Sequence, residues 1–236
     1  MERIDKLLAG TGRWSRKEAR ELIRAGRVRV DGLLVSKPEQ KCGPEGISVD
    51  GEALRCGRNT YVMLHKPAGV LTATEDRRQP TVLDLLPEHL QRIGLFPVGR
   101  LDKDTEGLLL LTDDGELAHR LLSPRYHVDK VYLARTEGRV DQSDVEAFAA
   151  GMTLGDGTQC RPAGLQGVEG ENAALVTLRE GKFHQVKRML AQRGKPVLAL
   201  KRLSMGPLRL DEALAAGQWR LLSEEEEAAL RVATGL

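Results

Sequence analysis

Apolar positions at the start of the chain recur at helical spacing and then switch to alternation. Ile4, Leu7 and Leu8 form a short stripe three to four residues apart, the period of one helix face. TGRW interrupts it. In SRKEARELIRAG, Ser15 is placed to cap a helix, with Glu18 three residues on as its capping-box partner. Ala19, Leu22 and Ile23 make the inward face, and Gly26 is a natural stop. RVRVDG alternates as a strand does and ends in an Asp-Gly turn, and ISVDGEAL repeats that pattern at 47–54. The pattern predicts a module of two helices and a small hairpin-rich sheet over residues 1–58. CGRNT, at 56–60, has few apolar residues and reads as a linker.

A second domain is expected over residues 61–236. An apolar strand opens it at Tyr61–Leu64 and stops at Lys-Pro. TVLDLLPEHL has helical spacing. GLLLLT is the most strand-like run in the chain. Asp113-Asp114-Gly115 reads as a plain turn, and ELAHRLLSP as a short helix ended by Pro124. KVYLART and AALVTLREG read as strands, and KPVLALKRLSMGPLRL supplies at least one more. DQSDVEAFAAGM reads as a helix with Asp141 or Ser143 at its cap. FHQVKRMLAQRG reads as a helix closed by Gly194, and SEEEEAALRVA as an acid-capped one. Helices and strands interleave, but hairpin signals are frequent. The expected class is therefore α+β, with a mixed, mostly antiparallel sheet flanked by helices.

Composition narrows the function classes. Hydrophobic residues make up 41 % of 236, enough for a folded core. No apolar run approaches the ~18 residues of a bilayer span. The N-terminus is charged where a signal peptide would be apolar. A soluble, cytoplasmic protein is the expectation, and nothing points beyond a monomer. Cys42, Cys56 and Cys160 are scattered and contain no CxxC, which argues against a disulfide framework or a zinc site. The net charge of +2 is uneven: residues 1–58 hold 13 Lys/Arg against 9 Asp/Glu, and residues 1–30 hold 9 against 4. A basic N-terminal piece suits a polyanion, although a solvated helix face has the same composition. Arg16, Arg20, Arg24 and Arg27 follow steps of four, four and three, one stripe running past the helix end, with Arg13 and Lys17 beside it.

Three stretches could carry chemistry. In GRLDKDTEGLLLLTDDG, Asp102 and Asp104 precede the leucine run. They suit a solvated turn. Asp102, flanked by Arg100 and Lys103, also suits a carboxylate at the edge of an apolar core, where a nearby cation keeps it ionised as a nucleophile or base requires. EGKFHQVKRMLAQRG places His184, Lys187, Arg188 and Arg193 on one expected helix, with His184 within reach of Lys187 and Arg188. A solvated cationic face reads the same way. Tyr132 in KVYLART is one of only eight aromatic residues. It suits a sheet surface or a stack against a nucleobase.

Together these stretches resemble the ribosomal small-subunit pseudouridine synthases, the RsuA-type family, over nearly the whole chain. RIDKLLAGTGRWSRKEARELIRAGRVRVDG resembles the S4 (alpha-L) RNA-binding module. YVMLHKPAGVLT resembles the family's opening strand and turn. GRLDKDTEGLLLLTDDG resembles its catalytic motif. The resemblance implies that Asp102 is the essential aspartate and that Tyr132 stacks on the uracil. EGKFHQVKRM resembles the motif that supplies the aspartate's basic partner, Lys187, with Arg188 adjacent; Arg100, His184 and Arg188 then fall among substrate contacts. Arg13, Arg16, Lys17, Arg20, Arg24 and Arg27 would grip RNA phosphates. Phe-His-Gln-Val-Lys-Arg favours the 16S branch, with uridine 516 of 16S rRNA as the implied target. The reaction needs no cofactor and no metal. The rival readings are a sister enzyme for 23S rRNA and a non-catalytic S4-type assembly factor.

Overall fold

The computed structural model describes every residue except Gly12, Arg55, Arg58 and His127, and the side chain of Pro124. Gly12 of the expected TGRW break and Arg58 of the expected linker thus lie outside the described residues. The chain divides into two compact units: residues 1–60 with 83–96, and residues 61–82 with 97–236.

In the first unit, α1 (Ile4–Gly10) and α2 (Arg16–Arg24) bury the apolar stripes seen in the sequence, Ile4, Leu7 and Leu8 on one and Ala19, Leu22 and Ile23 on the other. The Ser15–Glu18 capping box is formed, so two of the otherwise unpaired amides at the start of α2 are satisfied. A four-stranded sheet follows, of β1 (Val28–Val30), β2 (Leu33–Leu34), β3 (Ile47–Val49) and β4 (Glu52–Ala53). They pair antiparallel in the order β2-β1-β3-β4. Both Asp-Gly pairs make the expected hairpin turns, with φ of 50° and 78° at Asp31-Gly32 and 53° and 84° at Asp50-Gly51. Positive φ at both central residues matches the twist of the flanking strands.

The second unit is built on a nine-stranded sheet. Its main strands are β5 (Tyr61–Lys66), β6 (Glu106–Thr112), β7 (Lys130–Thr136), β8 (Gly164–Gly167), β9 (Ala173–Leu178), β10 (Val197–Met205) and β11 (Trp219–Leu221). They run in the order β8-β9-β7-β10-β6-β5-β11. Every pairing is antiparallel except β10 with β6. The α+β class follows. All of β5 and Gly107–Thr112 of β6 are buried, which is why these strands read as continuous apolar runs rather than alternating ones. The helices are α3 (Gly115–Leu122), α4 (Gln142–Ala150), α5 (Gln185–Gln192) and α6 (Glu224–Thr234). Asp141 caps α4 and Ser223 caps α6.

Three local expectations are corrected. TVLDLLPEHL is not a helix; only Glu88–Gln91 is helical, because Pro87 excludes the preceding residues and Thr81 bridges to Leu71 instead. Its apolar residues Val82, Leu83, Leu86 and Leu90 are buried all the same. Asp113-Asp114-Gly115 is more than a turn. Asp114 is buried, caps α3 by accepting from the Leu117 amide at 2.9 Å, and accepts from the Tyr61 hydroxyl at 2.7 Å. Arg231 of α6 donates to that hydroxyl at 2.8 Å, so one polar network joins β5, α3 and α6. His184 lies outside α5, at its N-cap, in the left-handed region with φ 47°.

Candidate active site

Asp102 stands on a loop just before β6, and that loop is tied down from behind. The Lys66 side chain is fully buried at the end of β5 and donates to the carbonyls of Pro67 at 2.9 Å, Lys103 at 3.1 Å and Thr105 at 2.9 Å. Thr72 Oγ1 donates to the Leu101 carbonyl at 2.8 Å and accepts from the Leu101 amide at 3.2 Å. The Gly69 amide donates to the Lys103 carbonyl at 2.8 Å. An ammonium has three donors, and here each meets one carbonyl. Burial pushes its pKa down to about 8, against the pull of the Asp104, Glu106 and Asp102 carboxylates.

Facing this loop is the first turn of α5. Lys187 Nζ lies 3.1 Å from Asp102 Oδ2 and 2.5 Å from Asp104 Oδ1. Burial works against its charge, but hydrogen bonds to Asp104 and Asp102 outweigh that and raise its pKa. The same contact holds the Asp104 carboxyl below its usual range. His184 Nε2 is 3.4 Å from Asp102 Oδ1. The Asp102 side chain is about a quarter exposed, at 26 %, whereas Asp104 is at 74 %. Of the two acids, Asp102 is the one that turns into the cleft. That cleft is lined by Arg100, Leu101, Asp102, Thr105, Tyr132, Leu178, Gly181, Lys182, His184, Gln185, Val186 and Leu200. Tyr132, from the middle of β7, is buried in its wall.

Four of the residues singled out from the sequence therefore converge with Asp102: Tyr132, Lys187, His184 and Arg100. Arg188 does not. It pairs with Asp156 at 2.5 Å instead of with Asp102. The turn of α5 that presents Lys187 to Asp102 carries Arg188 round to Asp156. Arg193 follows α5 and binds Asp144 at 2.8 Å.

In the first unit the expected stripe is partly spoken for. Asp5 is completely buried. Arg3 grips it with two bonds of 3.0 Å, Arg20 with one of 3.0 Å, and Arg16 lies at 3.7 Å. Burial raises the Asp5 pKa, but the hydrogen bonds from Arg3 and Arg20 prevail and lower it. Arg27 leaves the stripe because α2 ends at Arg24 and Gly26 turns the chain; it binds Asp50 instead. Arg13 lies 3.3 Å from Glu52 and over the Trp14 ring at 5.0 Å. Lys17 and Arg24 have no ion-pair partner among the described residues. Lys66, Thr72, Gln185 and Asp5 were missed by sequence reasoning. Only Lys66 left a trace, a basic residue at the end of an otherwise apolar strand.

A carboxylate with a cationic partner, an aromatic side chain in the same cleft and a dry strand behind can act as a nucleophile or base on a planar ring. No group of His, Cys, Asp or Glu able to hold a metal ion occurs among the described residues, and none of the helices is long and apolar enough to cross a membrane. Fold and site together define an enzyme with an appended RNA-binding module. The family model described as RNA pseudouridylate synthase matches residues 60–192, and the S4 domain model matches residues 2–47. The chain belongs to the RNA pseudouridylate synthase family. It is 45 % identical to an uncharacterized RNA pseudouridine synthase, YtzG, of Bacillus subtilis, covering 95 % of this chain and 96 % of that one. It is 43 % identical to ribosomal small subunit pseudouridine synthase A of Pseudomonas aeruginosa, covering 95 % and 98 %. A crystal structure of a pseudouridylate synthase superposes with a TM-score of 0.69 at 35 % identity, covering 98 % of this chain and all of the other.

Proposed function

We propose that this chain converts a uridine of 16S ribosomal RNA, uridine 516, to pseudouridine. One observation carries the reading: Asp102 and Tyr132 line the same cleft, and Lys187 pairs with that Asp102 at 3.1 Å. The reaction is an isomerisation. The N1–C1′ glycosidic bond breaks, the uracil turns, a C5–C1′ bond forms, and the proton lost from C5 is balanced by one gained at N1. The uridine first leaves its stack, since a side chain cannot reach it inside a helix. Asp102 is the reacting carboxylate, Lys187 its cationic partner, and Tyr132 the face against which the uracil rests. Leu101, Leu178, Val186 and Leu200 in the cleft wall exclude water, so the detached base is retained. The small-subunit substrate is supported by relatives named ribosomal small subunit pseudouridine synthase A, and the S4 match supports RNA as the class of substrate.

Tritium release from 5-tritiated uridine in rRNA tests the chemistry. Asp102→Asn should abolish release while leaving rRNA binding within a few-fold of the parent; substantial residual turnover would move the reactive group elsewhere. Mapping of modified sites tests the substrate. A product in 23S rRNA with none in 16S rRNA would overturn that choice.

A further inference from the structure

Phe183 is out of place for a structural residue. It is 75 % exposed, while every other Phe, Tyr and Trp is buried or half-buried. One face is covered by the His184 imidazole, with ring centroids 3.9 Å apart and planes 16° from parallel. His184 is the residue whose Nε2 lies 3.4 Å from Asp102 and whose backbone is left-handed. For a non-glycine residue that conformation is strained and persists only where the surroundings impose it. They do so here. Gln185 Oε1 accepts from the Lys182 amide at 3.0 Å, and its amide nitrogen donates to Glu180 at 2.7 Å, bracing the loop on both sides of Phe183. Lys182 and His184, the two neighbours of Phe183, line the active-site cleft.

A loop held under strain, with an exposed aromatic ring between two cleft-lining residues and its outer face open, fits a flat ligand. Extruding a uridine leaves the adjacent base without one stacking partner, and an aromatic side chain can replace it whatever that base is. Arg100, exposed and lining the same cleft, suits a phosphate of such a strand. We propose that the Phe183–His184 pair is a stacking platform for the nucleobase next to the flipped uridine. The proposal rests on the RNA-modifying reading above. It makes Phe183 a binding residue, with His184 tying the platform to Asp102.

The experiment uses the full chain and tritiated rRNA with Phe183→Ala, Phe183→Leu and Phe183→Trp. Ala and Leu should each lower kcat/KM by about 5- to 150-fold, the range of one base–aromatic stack, chiefly through KM. Trp should restore it to within about threefold, since it stacks at least as well. Melting temperatures should not move, because the ring is not packed in the core. The same ranking should appear in rRNA binding measured in an Asp102→Asn background. That arm reads the platform without turnover, so its failure and the failure of the catalytic reading are told apart. If Leu serves as well as Phe, or Ala binds rRNA as tightly as the parent, there is no stack and the proposal is overturned.

Discussion

Lys66 looks from the sequence like the residue that ends a strand; in the fold it is the anchor of the loop that carries Asp102. Its three carbonyl bonds need the protonated amine, because a neutral one has two hydrogens. With its pKa near 8, turnover should fall as pH rises through about 8, and Lys187, whose pKa is raised, does not titrate in that window. Stability should move the other way. The folded pKa lies below the ordinary lysine value, so between about 8 and 10.5 the unfolded chain binds the extra proton and unfolding free energy rises with pH. A single-turnover pH profile alongside urea melts checks both signs; a rate that stays flat across pH 8 would uncouple Lys66 from the loop. Asp102, Tyr132 and Lys187 were legible because their motifs are dense in chemistry. Asp5 and Lys66 were not, since burial of a lone charged residue depends on partners distant in sequence; nor was the pairing of Arg188 with Asp156, which depends on how α5 is docked.

At the level of elements, the sheet depends on one close approach. β6 and β10 are joined by a short parallel ladder, Glu106 with Lys201 and Gly107 with Arg202. Gly107 has φ 108°, and a Cβ there would lie 2.2 Å from the Arg202 carbonyl oxygen and 2.6 Å from its amide nitrogen. Neither backbone atom can yield without parting the strands. Gly107→Ala should therefore destabilise the second unit by about 3 kcal/mol, a drop of roughly 6–12 °C in melting temperature for a domain this size. A melting temperature within a degree or two of the parent would mean that the ladder slips to accommodate the methyl group. Strands and capped helices were read well because period and caps are local. The failure at TVLDLLPEHL has the same root: its leucines keep helical spacing, but a proline and a bridge to Leu71 decide the backbone.

On the scale of the whole molecule, RNA affinity should divide the basic residues of the first unit into two sets. Lys17 and Arg24 have no ion-pair partner among the described residues, whereas Arg16 and Arg20 neutralise buried Asp5. The double variant Lys17→Gln, Arg24→Gln should reduce the slope of log affinity against log salt by about 1.4, at roughly 0.7 per lost phosphate contact on single-stranded RNA, with little change in melting temperature. An unchanged slope would place the RNA grip elsewhere. The sequence by itself determined most of the helices and strands, that the sheet is mostly antiparallel, where the S4-like module falls, and which aspartate to suspect, because period, capping and motif spacing are written in neighbouring residues. Only the tertiary structure decided that Arg188 turns to Asp156, that Lys66 and Thr72 hold the loop, that Asp5 claims Arg16 and Arg20 of the basic stripe, and that Phe183 is left bare beside the cleft. Each of those depends on the docking of elements far apart in the chain, and the free energies involved belong to burial and pairing across that distance, which no local pattern encodes.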